Sequence, residues 1–190
     1  YNTVPGVLGM VLMLICAMMT SISIVREKEF GNMEVLLVSP LKPITIILSK
    51  TVPYIILSFI NFTTILLLSV FVLKVPITGS LGLIVLISTI FIFVSLALGL
   101  LISTLVNTQM VAMLISGVVL MFPVILLSGM IFPVESMGVF FQWLAKLLPA
   151  NWYIAAIRKV MIQGLGITSV AKEIIILLSM AIVLLVVSIK

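Results

Sequence analysis

Long uncharged apolar runs, separated by short polar stretches, set the plan of this chain. Residues 4–25 carry no charge over about 22 positions, and a second such run, 51–73, is entered through Lys50 and left at Lys74-Val75-Pro76. Residues 81–134 are uncharged for too long to cross a bilayer once. They must fold back, and Asn107-Thr108-Gln109 near the middle is the natural turn, because adjacent amides buried in hydrocarbon without partners cost several kcal/mol. That division gives runs 81–106 and 110–131. A last run, 174–189, is short of the roughly 20 residues a spanning helix needs. The pattern predicts an all-α polytopic bundle of about five transmembrane helices, with the two ends on opposite sides.

Between residues 132 and 172 the pattern changes. Phe140, Trp143, Leu144 and Leu147 follow i, i+3, i+4, i+7 spacing over 135–148, while Glu135, Gln142 and Lys146 fall on the other face. Pro149 then breaks the helix. A second short helix is expected over 152–163, burying Ile154, Ile157 and Met161 and ending at Gly164-Leu165-Gly166. Neither half is long enough to cross. The pair reads as an interfacial or re-entrant hairpin over 132–166, with Trp143, Trp152 and Tyr153 at headgroup depth.

Composition agrees with the bilayer reading. The 190 residues are 64% hydrophobic and 8% charged, with a mean hydropathy of +1.52, whereas soluble domains carry about 25% charged residues. The net charge of +5 is not gathered into a cluster of the density that nucleic acid requires. The basic residues divide evenly between the two sides, with Arg26, Lys28, Lys42, Lys50 and Lys190 on one and Lys74, Lys146, Arg158, Lys159 and Lys172 on the other. The positive-inside count is therefore a tie. The chain has no histidine, and its one cysteine, Cys16, lies in an apolar run as a small core hydrophobe. No metal-ligand set or catalytic constellation is legible, which argues against an intramembrane enzyme. The expectation is that no charged residue sits mid-span and no carboxylate is buried, so ion-coupled transport lacks its usual relay. A phosphate loop of the G-x-x-x-x-G-K-[ST] type is absent, so this chain is not itself an ATPase.

Smaller features have two readings each. Ser95, Gly99 and Ser103 recur every four residues, a stripe that allows close helix packing within one subunit or at a dimer seam. Asn61, Thr63, Thr64, Ser116 and Gly117 suit either a pathway or interhelical hydrogen bonds. The start at Tyr1 and the short last run lead us to expect a piece of a longer protein.

Six of the fifteen charged residues fall between Arg26 and Lys42. From the residues alone this is either a solvated juxtamembrane loop against lipid headgroups or a docking segment. Here the chain resembles the membrane permeases of type-two ABC exporters, whose stretch R-E-[RK]-E-x-G-[TN]-x-E-x-L-L-V-[ST]-P-L-[RK]-P it matches. The matching positions are Arg26, Glu27, Lys28, Glu29, Gly31, Asn32, Glu34, Leu36, Leu37, Val38, Ser39, Pro40, Leu41, Lys42 and Pro43. A second family stretch matches Ser128-Gly129, Ile131-Phe132-Pro133, Pro149, Arg158 and Gly164.

The resemblance implies a single permease domain over 1–190, lacking the family's first span and extracytoplasmic domain, in the cytoplasmic membrane of a bacterium or archaeon. It implies a cytoplasmic coupling segment over 26–43 that docks on a separate ATPase subunit, which binds ATP and Mg. In that segment Met33, Leu36 and Leu37 form an apolar face, the charges orient it, and Ser39-Pro40 ends it. It also implies pairing with a second permease, as homo- or heterodimer, contact with membrane lipids, and an outer hairpin acting as a lid or gate. Export of an amphiphilic drug or lipid is the function implied; a passive channel or a membrane scaffold is the alternative.

Overall fold

The computed structural model describes residues 3–31, 43–71, 74, 78–128 and 136–189. Among them it is helical, without strands. The five long helices are α1 (Thr3–Glu29), α2 (Pro43–Phe71), α3 (Leu81–Leu105), α4 (Gln109–Leu127) and α7 (Ile167–Ile189), each apolar and long enough to cross a membrane. Two shorter ones, α5 (Val139–Leu147) and α6 (Pro149–Met161), lie between α4 and α7. Within α4, residues Ile115–Val119 form a π-turn, a widened turn that spoils regular ladder bonding and is often found where helices do functional work.

The centre of the bundle is α3, packed against α1 on one side and α7 on the other, with α2 lying outside against α1. α3 and α1 approach closely at Gly99. A Cβ there would sit 2.6 Å from the Ala17 carbonyl oxygen and 2.8 Å from Thr20 Cβ, so only glycine fits. Ser95 and Ser103, one turn to either side, are buried, and Ser95 Oγ bonds back to the Phe91 carbonyl at 2.8 Å. Some buried polar atoms pair across helices. Ser21 and Ser116 share a 2.8 Å hydrogen bond between α1 and α4, and Cys16 and Ser58 one of 2.9 Å between α1 and α2. Thr63 and Thr64 lie on the exposed side of α2 and bond back to carbonyls four residues earlier.

Three sequence expectations need correction. α1 does not end near residue 25 but continues through Arg26, Glu27, Lys28 and Glu29, because these are good helix formers and nothing in them breaks the ladder. α7 begins at Ile167 rather than 174, so the last helix is not short, and Lys172 and Glu173 belong to it. Glu173 is buried, which overturns the expectation that no carboxylate would be.

The hairpin over 132–166 is two unlike halves. In α5, Phe140, Trp143 and Leu147 are all at least 70% exposed on the outside of the protein. α6 instead wedges between α1, α3 and α7, with Tyr153, Ile154, Ala156, Ile157 and Val160 fully enclosed. Tyr153 is therefore enclosed by protein and does not face lipid headgroups with its ring. It stacks on Phe91 of α3 at 4.0 Å between ring centroids, and its hydroxyl shares a 2.9 Å hydrogen bond with Ser88. Trp152 is partly buried and donates from Nε1 to the Lys146 carbonyl at 2.9 Å.

Candidate functional site

The charged end of the bundle is assembled by α1, α3 and α4. Helix α1 carries Arg26 to Glu29 on its last turn and stops at Gly31, whose φ of +72° is a left-handed conformation that L side chains rarely adopt. The Phe30 amide donates to the Arg26 carbonyl and the Gly31 amide to the Lys28 carbonyl, closing the helix end. Arg26 lies over the Phe30 ring at 5.9 Å.

Lys28 and Glu29 reach across to a neighbouring corner. α3 ends at Leu105 and α4 begins at Gln109, capped by Thr108, whose hydroxyl accepts from the Val111 amide at 3.4 Å. The Lys28 ammonium donates to the Ser103 carbonyl in the last turn of α3. One carboxylate oxygen of Glu29 accepts from the Gln109 backbone amide at 3.0 Å and from its side-chain amide at 2.9 Å. A cation thus meets the carbonyl end of one helix and an anion meets the amide end of the next. Both contacts follow the sign of the helix dipoles. Below them Val25, Ile102, Val106 and Ala112 form a small apolar cluster under the same corner.

Of the coupling residues expected from the sequence, Arg26, Glu27, Lys28, Glu29 and Gly31 are described. Glu34, Leu36, Leu37, Ser39 and Pro40 lie outside the described residues. Sequence reasoning missed the bond between Glu29 and the turn after α3. The signal was the polar triplet Asn107-Thr108-Gln109, read only as a loop and not as a cap needing an acceptor.

At the opposite end the hairpin residues are fixed by different means. Pro149 is the first residue of α6, where its missing amide hydrogen costs nothing. Arg158 stands in the last turn of α6, and its carbonyl accepts the Ile162 and Gln163 amides. Gly164 follows with φ +64°, against Thr78. Thr78 donates from its amide and hydroxyl to the Met161 carbonyl, and the adjoining Gly79 is pressed so tightly on Val160 that a Cβ would fall 2.2 Å from the Val160 carbonyl oxygen. Lys159 bridges α6 to α7. Its ammonium lies 2.7 Å from Glu173 Oε1, with the side chains 36% and 7% exposed. Pro133 lies outside the described residues.

Between these ends an apolar cavity of about 420 Å³ reaches from the α5–α6 junction at Leu148 and Pro149 to Met13, Leu98 and Leu120, with α7 as its far wall. Ser179 is the polar residue on that wall. The size falls within the roughly 300–1,000 Å³ of small-molecule pockets, and its lining fits hydrocarbon better than a charged solute.

Comparisons with known proteins agree on one group. The sequence profile described as ABC-2 family transporter protein matches residues 1–190. The chain is 33% identical over 161 residues to the probable multidrug ABC transporter permease YbhS of Escherichia coli K12, covering 85% of this chain and 43% of that protein. It is 34% identical over 160 residues to the probable multidrug permease YbhR of the same organism, covering 84% and 43%. It is 29% identical over 164 residues to ABC transporter G family member 20 of Dictyostelium discoideum, covering 86% of this chain and 22% of that protein. The chain thus spans less than half the length of these relatives. No solved structure matches it.

Proposed function

Because the chain belongs to the ABC-2 family of transporter proteins, we propose that it is the permease part of an ATP-driven exporter and moves apolar or amphiphilic cargo out of the cell. A separate ATPase subunit binds ATP and Mg, and a second permease, identical or related, completes the pathway. The end bearing Arg26 to Glu29 faces the cytoplasm, and the α5–α6 end faces out. ATP binding closes the ATPase subunits and pulls the segment that follows Gly31. The spans then rock between inward- and outward-open arrangements, the standard form of rigid-body switching between two states.

One observation carries this reading. In a five-helix bundle of apolar spans, acid and base side chains gather on the last turn of α1 and are built into the adjoining helix corner. That is what a site receiving an external push requires. The apolar cavity supports the cargo class, as do the relatives named multidrug permeases.

The test is ATP hydrolysis and assembly in the reconstituted permease–ATPase complex carrying Glu34→Arg or Leu36→Asp. Both variants are expected to lose partner assembly or cargo-stimulated hydrolysis. Unchanged assembly and hydrolysis would refute the coupling assignment. Labelling that finds Glu29 or Lys42 accessible only from outside intact cells would refute the orientation.

A further inference from the structure

We infer that Glu29, assisted by Lys28, is a positioning residue that fastens the pulled end of α1 to the α3–α4 corner, so that the motor's stroke reaches α3 and α4 directly. The inference rests on the proposed coupling role of the segment after Gly31 and assigns these two side chains a task other than touching the motor.

Glu29 is solvent-exposed, but its bonds are directed at one corner of the bundle. Glu29 spends one carboxylate oxygen on two donors of a single residue, Gln109, the first residue of α4. Lys28, its neighbour, takes a carbonyl on the last turn of α3. Charge-assisted bonds are the stronger kind, and two of these three are to backbone atoms. Apolar packing of Val25 on Ile102, Val106 and Ala112 holds the same corner without direction, and Ser21 and Ser116 join α1 and α4 again well inside the bundle, at the π-turn. From the charged end to that turn, the first part of α4 is thus tied to α1 at both limits. Beyond it, Pro123 and the widened turn interrupt the regular ladder. The tied block comprises the end of α1, the end of α3 and the start of α4, and its boundary is the π-turn.

A merely structural cap would hold the corner in place without governing its movement, and the experiment separates the two. In the full permease–ATPase complex, in a Cys16→Ala background, spin labels are placed at Phe30 and Phe71, or at Met110 and Phe71. All three positions are exposed, with Phe30 at the end of α1, Met110 at the start of α4, and Phe71 as the far reference on α2. Pulsed dipolar distances are then compared without nucleotide and with ATP trapped.

Both distances are expected to change in the wild type. With Glu29→Ala the Phe30 distance still changes, while the change at Met110 falls below half its wild-type size. Glu29→Lys gives the same loss, and adding Gln109→Glu restores part of it by a new ion pair between the two substituted side chains. Should Glu29→Ala fail to assemble, Glu29→Gln, which keeps one acceptor oxygen, decides by the same comparison and is expected to show a smaller loss. A full Met110 change in Glu29→Ala, or in Glu29→Lys, overturns the fastener. A wild type in which the Phe30 distance does not respond to ATP refutes the underlying coupling role, and the fastener with it.

Discussion

Replacing Gly99 by alanine tests the packing at the centre of the bundle. Ordinary contact begins near 3.4 Å, but the new Cβ would lie 2.6 Å from the Ala17 carbonyl oxygen, a shortfall of about 0.8 Å. The obstacles are backbone and Cβ atoms of α1, not the tip of a flexible side chain, so the helices themselves must part. Opening a packed surface by that much forfeits roughly a quarter to a half of each dispersion contact along it. Overpacking of this kind costs about 1–3 kcal/mol, and the gain in helix propensity from glycine to alanine offsets about 0.5–1 kcal/mol. The expected net loss is about 1–2 kcal/mol, roughly a 5- to 30-fold fall in the folded-to-unfolded ratio. The control is Gly82→Ala in the same helix, where the nearest atom is Ser80 Oγ at 3.6 Å, and no loss is expected. Equilibrium unfolding in mixed micelles, followed by far-ultraviolet circular dichroism, measures both. A Gly99→Ala protein as stable as the Gly82→Ala one would show that α1 and α3 have slack where the structure has none.

Two other outcomes are expected at the opposite end. Lys159→Met leaves the buried Glu173 carboxylate without its cation and should cost about 3 kcal/mol, the lower end for breaking a buried pair because Lys159 is one-third exposed; adding Glu173→Leu should recover most of the loss in the same unfolding assay. Substituting both Phe140 and Trp143 by lysine should release the exposed face of α5 from the lipid boundary. Brominated-lipid quenching of Trp143 in a Trp152→Phe background first fixes that depth, and absence of quenching would refute interfacial placement.

Five spans were legible because uncharged runs of that length have one common use. What escaped the sequence was long-range pairing. Arg26 to Glu29 read as a separate charged segment because charge usually marks the edge of a span, yet their helix propensity and the anchors at Ser103 and Gln109 keep them in α1. Lys172 and Glu173 hid the true start of α7 for a similar reason: the partner of Glu173 is Lys159, on another helix. Tyr153 looked like an interfacial aromatic because it adjoins Trp152, and its burial depends on Phe91 and Ser88, some sixty residues away. The Ser95, Gly99 and Ser103 spacing did point to a face of close approach, since small residues at that interval have few other uses in a span. It did not say which helix would lie against it. The segment after Gly31, where the family resemblance is densest, lies mostly outside the described residues.

The wedge formed by α6 has a consequence for how the chain is made. Thirteen residues of helix extend about 20 Å, too short to cross some 30 Å of hydrocarbon on their own. One wall of the slot they occupy is α7, which is synthesised after them. A nascent chain that has just produced Pro149–Met161 therefore has α1 and α3 but not the third wall to seat it against, and the slot is complete only once Ile167–Ile189 has been inserted. Seating α6 is then expected to follow the insertion of α7 as a sideways movement, and cleavage or arrest between the two would leave the wedge out of its slot.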